Sequence, residues 1–185
     1  MTTDPKQRDE ISKYLSYILR HEPHSIGLHL DTEGWASINS LIACASKQGR
    51  MIDDATIQGV VDTNSKKRFE ISDDSQKIRA IQGHSVSVVQ RKYPERVPPE
   101  VLYHGTATHF LAAIFEQGLK ARSRHHVHLS VDMPTATAVG KRHGKPVVLE
   151  IQALTMHQRG FRFLLAENSV WLIDTVPAEF INTIG

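Results

Sequence analysis

Apolar residues Ile11, Tyr14, Leu15, Ile18 and Leu19 recur at the i, i+3, i+4, i+7, i+8 spacing of one helix face. That spacing predicts a helix over residues 7–21. Pro23 stops it, because a proline pushes the residue before it out of helical geometry. Ser37 is placed to cap a second helix that carries Leu41, Ile42 and Cys44 and ends at Gly49. A third, over 53–64, opens on acidic residues that complement the helix dipole and carries Ile57, Val60 and Val61. Residues 68–71 and 78–81 then alternate like strands around the turn cluster Ser72-Asp73-Asp74-Ser75. Three helices followed by a hairpin predict a winged-helix lobe over residues 1–89.

The pattern changes across residues 90–100, a charged, proline-rich stretch that reads as a linker. From 101 to 185 the apolar runs are short and strand-like, at 101–104, 127–130, 147–151, 161–165 and 170–173. One clear helix lies between the first two runs, capped by Thr106, using Leu111, Ile114 and Phe115, and closed at Gly118. Pro134 suits the first turn of another. The second half therefore predicts a small strand-rich lobe, and the whole chain reads as α+β.

Composition narrows the setting. Apolar residues make up 40% of the 185, enough for real cores, but no apolar run approaches the ~20 residues of a membrane span. The polar opening residues show no signal peptide. Cys44 is the single cysteine, so no internal disulfide framework is available, and a cytoplasmic location is the expectation. The formal charge is +2, with 14 Lys and Arg against 14 Asp and Glu up to residue 100 and 8 against 6 beyond it. No broad field attracts nucleic acid, so a polyanion has to be held by local clusters. Two stand out, Lys66-Lys67-Arg68 and Arg122-Ser123-Arg124.

Four segments carry candidate chemistry. Arg20 and His21 end the first helix, where cations either complement the macrodipole or project toward an anion. Against a phosphate monoester, the arginine fork satisfies two oxygens at once and the histidine adds a donor or moves a proton. Lys66-Lys67-Arg68 is either a solvated turn or, folded back beside that helix end, a second cationic contact with Arg68 its fixed member. Tyr103-His104-Gly105-Thr106 marks a strand handing over to a helix. The glycine there allows a turn or lets a planar ligand lie against the backbone, with peptide groups pairing a carboxamide. His104 donates to a ribose hydroxyl in that reading, and Thr106 opens a helix whose N-terminus favours anions.

The densest signal is Arg124-His125-His126-Val127-His128-Leu129-Ser130, since five of the 11 histidines fall between 104 and 128. Strand alternation puts His126 and His128 on one face and Val127 on the other. Two histidines on one face suit zinc, but a structural site wants four ligands and no cysteine pair accompanies them. A ligand-lining strand is the better account, with no metal expected.

With these segments in hand, the chain resembles the KptA-type RNA 2′-phosphotransferases along nearly its whole length. The residues that carry the resemblance are Leu19-Arg20-His21 with Pro23 and Gly27-Leu28, Gly34-Trp35, Arg68-Phe69, Leu102-Tyr103-His104-Gly105-Thr106, Arg124-x-His126-Val127-His128-Leu129-Ser130, and Val170-Trp171-Leu172 with Val176-Pro177. Their order and spacing together are specific. The resemblance implies a winged-helix RNA-side lobe joined to an ADP-ribosyltransferase-like lobe over 101–185. It implies a catalytic set of Arg20, His21, Arg68 and Arg124, with NAD held as co-substrate by Tyr103, His104, Gly105, Thr106, His126, His128, Leu129 and Ser130. One departure is Ala166-Glu167-Asn168-Ser169, where a glycine is expected beside the following strand, and Glu167 is given no catalytic role.

The implied reaction has two steps. An internal 2′-phosphate of RNA attacks the anomeric carbon of NAD's nicotinamide ribose and expels nicotinamide. The ribose 2″-hydroxyl then attacks phosphorus, releasing RNA with a plain 2′-hydroxyl and ADP-ribose 1″,2″-cyclic phosphate. A tRNA splice junction is the type of substrate implied, and a monomer suffices. One rival is an ADP-ribosyltransferase acting on nucleic-acid ends or protein. Another is a winged-helix DNA binder, disfavoured because the third helix carries Asp53, Asp54 and Asp62 and no basic residue.

Overall fold

The computed structural model describes residues 4–64 and 66–184. It divides into two compact units, residues 1–92 and 93–185. Every strand pairing in both is antiparallel, in small sheets, and the fold is α+β.

In the first unit, helix α1 (Pro5–Arg20) buries Ile11, Leu15, Ile18 and Leu19, the face that the periodicity marks. Helix α2 (Ile38–Lys47) is capped by the Ser37 side chain, which accepts from Ser40 N–H. Asp53 caps α3 (Asp54–Asp62) in the same way through Thr56 N–H. Strands β2 (Phe69–Ile71) and β3 (Lys77–Ala80) form the expected hairpin, with Phe69 opposite Ala80 and Ile71 opposite Ile78. The Ser72 hydroxyl closes its turn by donating to Asp74. One strand has no counterpart in the sequence pattern: β1 (Trp35–Ser37) pairs with β3, so β3 is the middle of three. Three residues are too few to show alternation. Leu15, Leu19, Leu28, Leu41, Ile57 and Ile78 fill the core.

The second unit is built on β4 (Leu102–Ala107), which pairs along its full length with β7 (Pro146–Ile151), while β11 (Ile181–Thr183) covers the other edge of β7. Here the structure corrects the sequence reading. Thr106 does not cap a helix: it is buried inside β4, opposite Val147, because β7 offers partners as far as Ala107. A turn of 3-10 helix follows, and α4 (Leu111–Gln117) starts only at Leu111, ending at Gly118 as expected. Asp132 caps α5 (Met133–Gly140), with Pro134 in its first turn, and this helix packs on β4 and β7.

A second sheet has β9 (Trp171–Ile173) between β6 (Val127–Leu129) and β8 (Leu164–Leu165). Strands β5 (Leu119–Lys120) and β10 (Thr175–Val176) make a short ribbon, and α6 (Ala153–Gln158) follows β7. The proline-rich stretch at 90–100 forms no helix, yet it is tied down. Glu95 bridges to Leu164, and Arg96 N–H donates to the Phe163 carbonyl.

Candidate active site

At the end of α1, His21 is the C-cap, its N–H donating to the Tyr17 carbonyl at 2.9 Å. The segment that leaves β3 runs back over this end. Ile81 N–H donates to the Arg68 carbonyl at 3.0 Å, and Ser85 N–H donates to the Arg20 carbonyl at 2.9 Å. The Ser85 hydroxyl lies 2.9 Å from His21 Nδ1. Between them, Gly83 sits at φ +88°, a conformation that favours glycine, with the Arg20 side chain beside it. Residues 81–85 thus fasten Arg68, Arg20 and His21 to one short piece of backbone. Arg68 is held further by Asn64, whose Oδ1 accepts from its guanidinium at 3.3 Å and whose amide donates to Ser12 on α1. Arg20 is half-buried, unlike a solvated helix-end cation, whereas Lys66 and Lys67 are exposed.

In the second unit, Tyr103 and Ser130 exchange backbone hydrogen bonds of 2.8 Å, which sets the end of β6 against β4. His104 Nδ1 is 3.0 Å from the His128 carbonyl. A carbonyl only accepts, so Nδ1 carries the proton and, in the neutral ring, Nε2 is a lone-pair acceptor. Burial pushes the His104 pKa down, and the nearby positive charges of His143 and Arg124 push the same way, against the hydrogen bond to His128. The ring is therefore neutral at pH 7.

Peptide groups of alternate residues in an antiparallel ladder point to opposite edges. Since Tyr103 bonds to Ser130, the N–H and C=O of Gly105 lie on that same edge, away from β7. The missing side chain of Gly105 serves α5 rather than a ligand. A Cβ there would fall 1.7 Å from the Ala136 carbonyl oxygen.

Val127 and Leu129 are buried in the core, and His126 and His128 are half-buried on the other face, as alternation predicts. The Leu129 side chain is fully buried, so only its backbone is open to a ligand. His126 stands edge-on to Tyr93 and has Nε2 3.8 Å from Asp174; burial lowers its pKa and that carboxylate opposes the shift. Arg124 is exposed by surface area, although burial of its guanidinium and then the charge of Arg142 lower its pKa. We treat it as charged, since arginine does not lose its proton in proteins. Among the described residues, no three His, Cys, Asp or Glu side chains are placed to hold a metal ion.

Sequence reading missed Gly83, Ser85 and Asp174. Gln82-Gly83-His84-Ser85 lies outside any periodic element, and a glycine followed by two polar residues was its only signal.

Comparison with known proteins places the chain among the transferases. It belongs to the RNA 2′-phosphotransferase, Tpt1 / KptA family, whose model matches residues 6–175. A protein of Burkholderia lata named "Probable RNA 2′-phosphotransferase" is 60% identical over 171 residues, covering 92% of this chain and 88% of its own. Proteins of the same name from Pectobacterium atrosepticum and Pseudomonas aeruginosa are 54% and 56% identical, each over at least 95% of this chain and 98% of their own.

Proposed function

We propose that this chain removes an internal 2′-phosphate from RNA, such as one left at a tRNA splice junction, by transferring it to NAD. The first unit is the RNA-side, winged-helix lobe, and the second is an ADP-ribosyltransferase-like lobe that takes NAD. One observation supports the reading most: residues 81–85 tie the backbones of Arg68 and Arg20 and the ring of His21 to one short segment, in a chain of this family.

The residues of the second unit fit NAD. The neutral His104 has an acceptor at Nε2, so it accepts a hydrogen bond from a ribose hydroxyl rather than donating one. Gly105 presents a donor and an acceptor on one edge, the pair that a carboxamide matches. NAD, when bound, supplies an electrophilic anomeric carbon whose leaving group departs neutral. The attacking phosphate is already an anion, so no general base is needed, and Arg20 and Arg68 act by holding it in position. In the later step charge builds on the phosphate oxygens, where Arg20, Arg68 and Arg124 supply donors, and His21 moves the proton. Arginines fill the role a metal takes elsewhere. One copy of the chain holds every residue invoked.

The test is an assay on RNA bearing an internal 2′-phosphate, with NAD, without it, and with a chelator present. Release of 2′-hydroxyl RNA only with NAD, chelator or not, is expected. Phosphate loss that ignores NAD, or that dies with the chelator, overturns the reading. RNA that stays ADP-ribosylated favours the ADP-ribosyltransferase alternative.

A further inference from the structure

The turn between α5 and β7, Lys141-Arg142-His143-Gly144-Lys145, is the most basic stretch of the second half, and every residue in it is exposed. Its backbone is closed on itself, with Lys141 N–H donating to the Thr137 carbonyl and His143 N–H to the Gly140 carbonyl. It is also pinned against the end of β4. Thr108 N–H donates to the Lys145 carbonyl at 3.0 Å, and a Cβ on Gly144 would lie 3.5 Å from the His109 ring. The His109 ring lies tilted against Phe110 with centroids 3.9 Å apart, and the Arg122 guanidinium is 5.1 Å from the centroid of the Phe110 ring. Arg142 is close enough to Arg124 for its charge to be felt there.

Five cations, Arg122, Arg124, Lys141, Arg142 and Lys145, therefore share one rim of this unit. Among the described residues, none of the five has a carboxylate within ion-pair distance. Like charges gathered without counter-charge raise the energy of the free protein and are offset when a polyanion neutralises them.

We propose that this rim of the second unit binds the phosphodiester backbone of the RNA that flanks the 2′-phosphate. It rests on the reading of the substrate as RNA. Two features favour RNA over the diphosphate of NAD as the occupant. Even with Arg124 set aside for the reacting phosphate, the four positive charges of Arg122, Lys141, Arg142 and Lys145 exceed what a diphosphate can neutralise. The turn is exposed, whereas the strand residues assigned to NAD are buried or half-buried. With 14 basic against 14 acidic residues up to residue 100, the first half has no net charge with which to hold a long polyanion by itself.

The test uses the full chain with Lys141→Ala, Arg142→Ala and Lys145→Ala combined, and Lys145→Gln alone as a milder variant. Binding to a short single-stranded RNA, with and without an internal 2′-phosphate, is measured across a salt series, alongside KM for RNA and for NAD. Each lost phosphate contact on a single strand flattens the log affinity–log salt slope by about 0.7, so the triple variant should flatten it by about 2. The RNA KM should rise several-fold with kcat and the NAD KM unchanged. An unaltered salt slope, or a rise confined to the NAD KM, overturns the proposal. Because plain 2′-hydroxyl RNA reports the backbone contacts without turnover, a wild-type protein that binds it yet removes no phosphate sinks the proposed reaction, not this surface.

Discussion

Ser85 touches both members of the helix-end pair, through its N–H to Arg20 and its hydroxyl to His21. A neutral hydrogen bond contributes about 1 kcal/mol, so Ser85→Ala should lower kcat roughly fivefold while leaving both KM values unchanged. Ser85→Thr should restore the rate. A changed pH profile of kcat in the alanine variant marks positioning of His21. If only thermal stability falls, Ser85 is structural and no more. His104 makes a prediction of different sign. Its folded pKa is depressed, so between that value and the unfolded value of about 6.5 the unfolded chain binds more protons. The stability His104 contributes is therefore complete above the unfolded pKa and is lost as pH falls through the folded one. Urea unfolding at pH 7.5 and 5.5 should show a smaller acid loss in His104→Gln than in the wild type. An equal loss in both excludes His104 as the source.

At the scale of elements, β4 and α5 meet at Gly105 and Gly140, where a Cβ on either would strike backbone of the other within 2.5 Å. Neither contact is the tip of a flexible side chain, so the strand and the helix would have to separate. Gly105→Ala is expected to cost at least about 2 kcal/mol in urea unfolding. A loss of activity with unchanged stability would return Gly105 to the ligand-facing role that its sequence suggested. The same pairing explains why the Thr106 cap was illegible in the correct form. A threonine before an apolar helix reads locally as a cap, whereas its inclusion in β4 depends on β7, some forty residues away. Ser37 did cap its helix, because an N-cap is set by residues three apart.

For the molecule as a whole, the proposed reaction draws on both units and assigns them separable failures. Arg20→Ala, His21→Ala and Arg68→Ala should each cut turnover about 100-fold or more, the scale of losing one charge-stabilising donor. Arg124→Ala should impair the second step at least as much as the first, seen in single-turnover experiments as RNA that remains ADP-ribosylated. If that variant leaves both steps near wild type, the assignment of Arg124 is wrong.

By itself the sequence determined the elements whose signals are local: the buried face of α1, the Ser37 cap of α2, the β2–β3 hairpin and the alternation that separates His126 and His128 from Val127. It also carried the family, because that depends on the order and spacing of short segments. Tertiary structure decided what distant partners control. β1 needed β3 to become a strand, and Thr106 needed β7. The proton on His104 was placed by the His128 carbonyl, which turned a presumed donor into an acceptor. Ser85, unremarkable in the chain, acquired its place only when β3 returned its exit segment to the end of α1. A hydrogen bond between residues 64 positions apart leaves no period in a sequence to read.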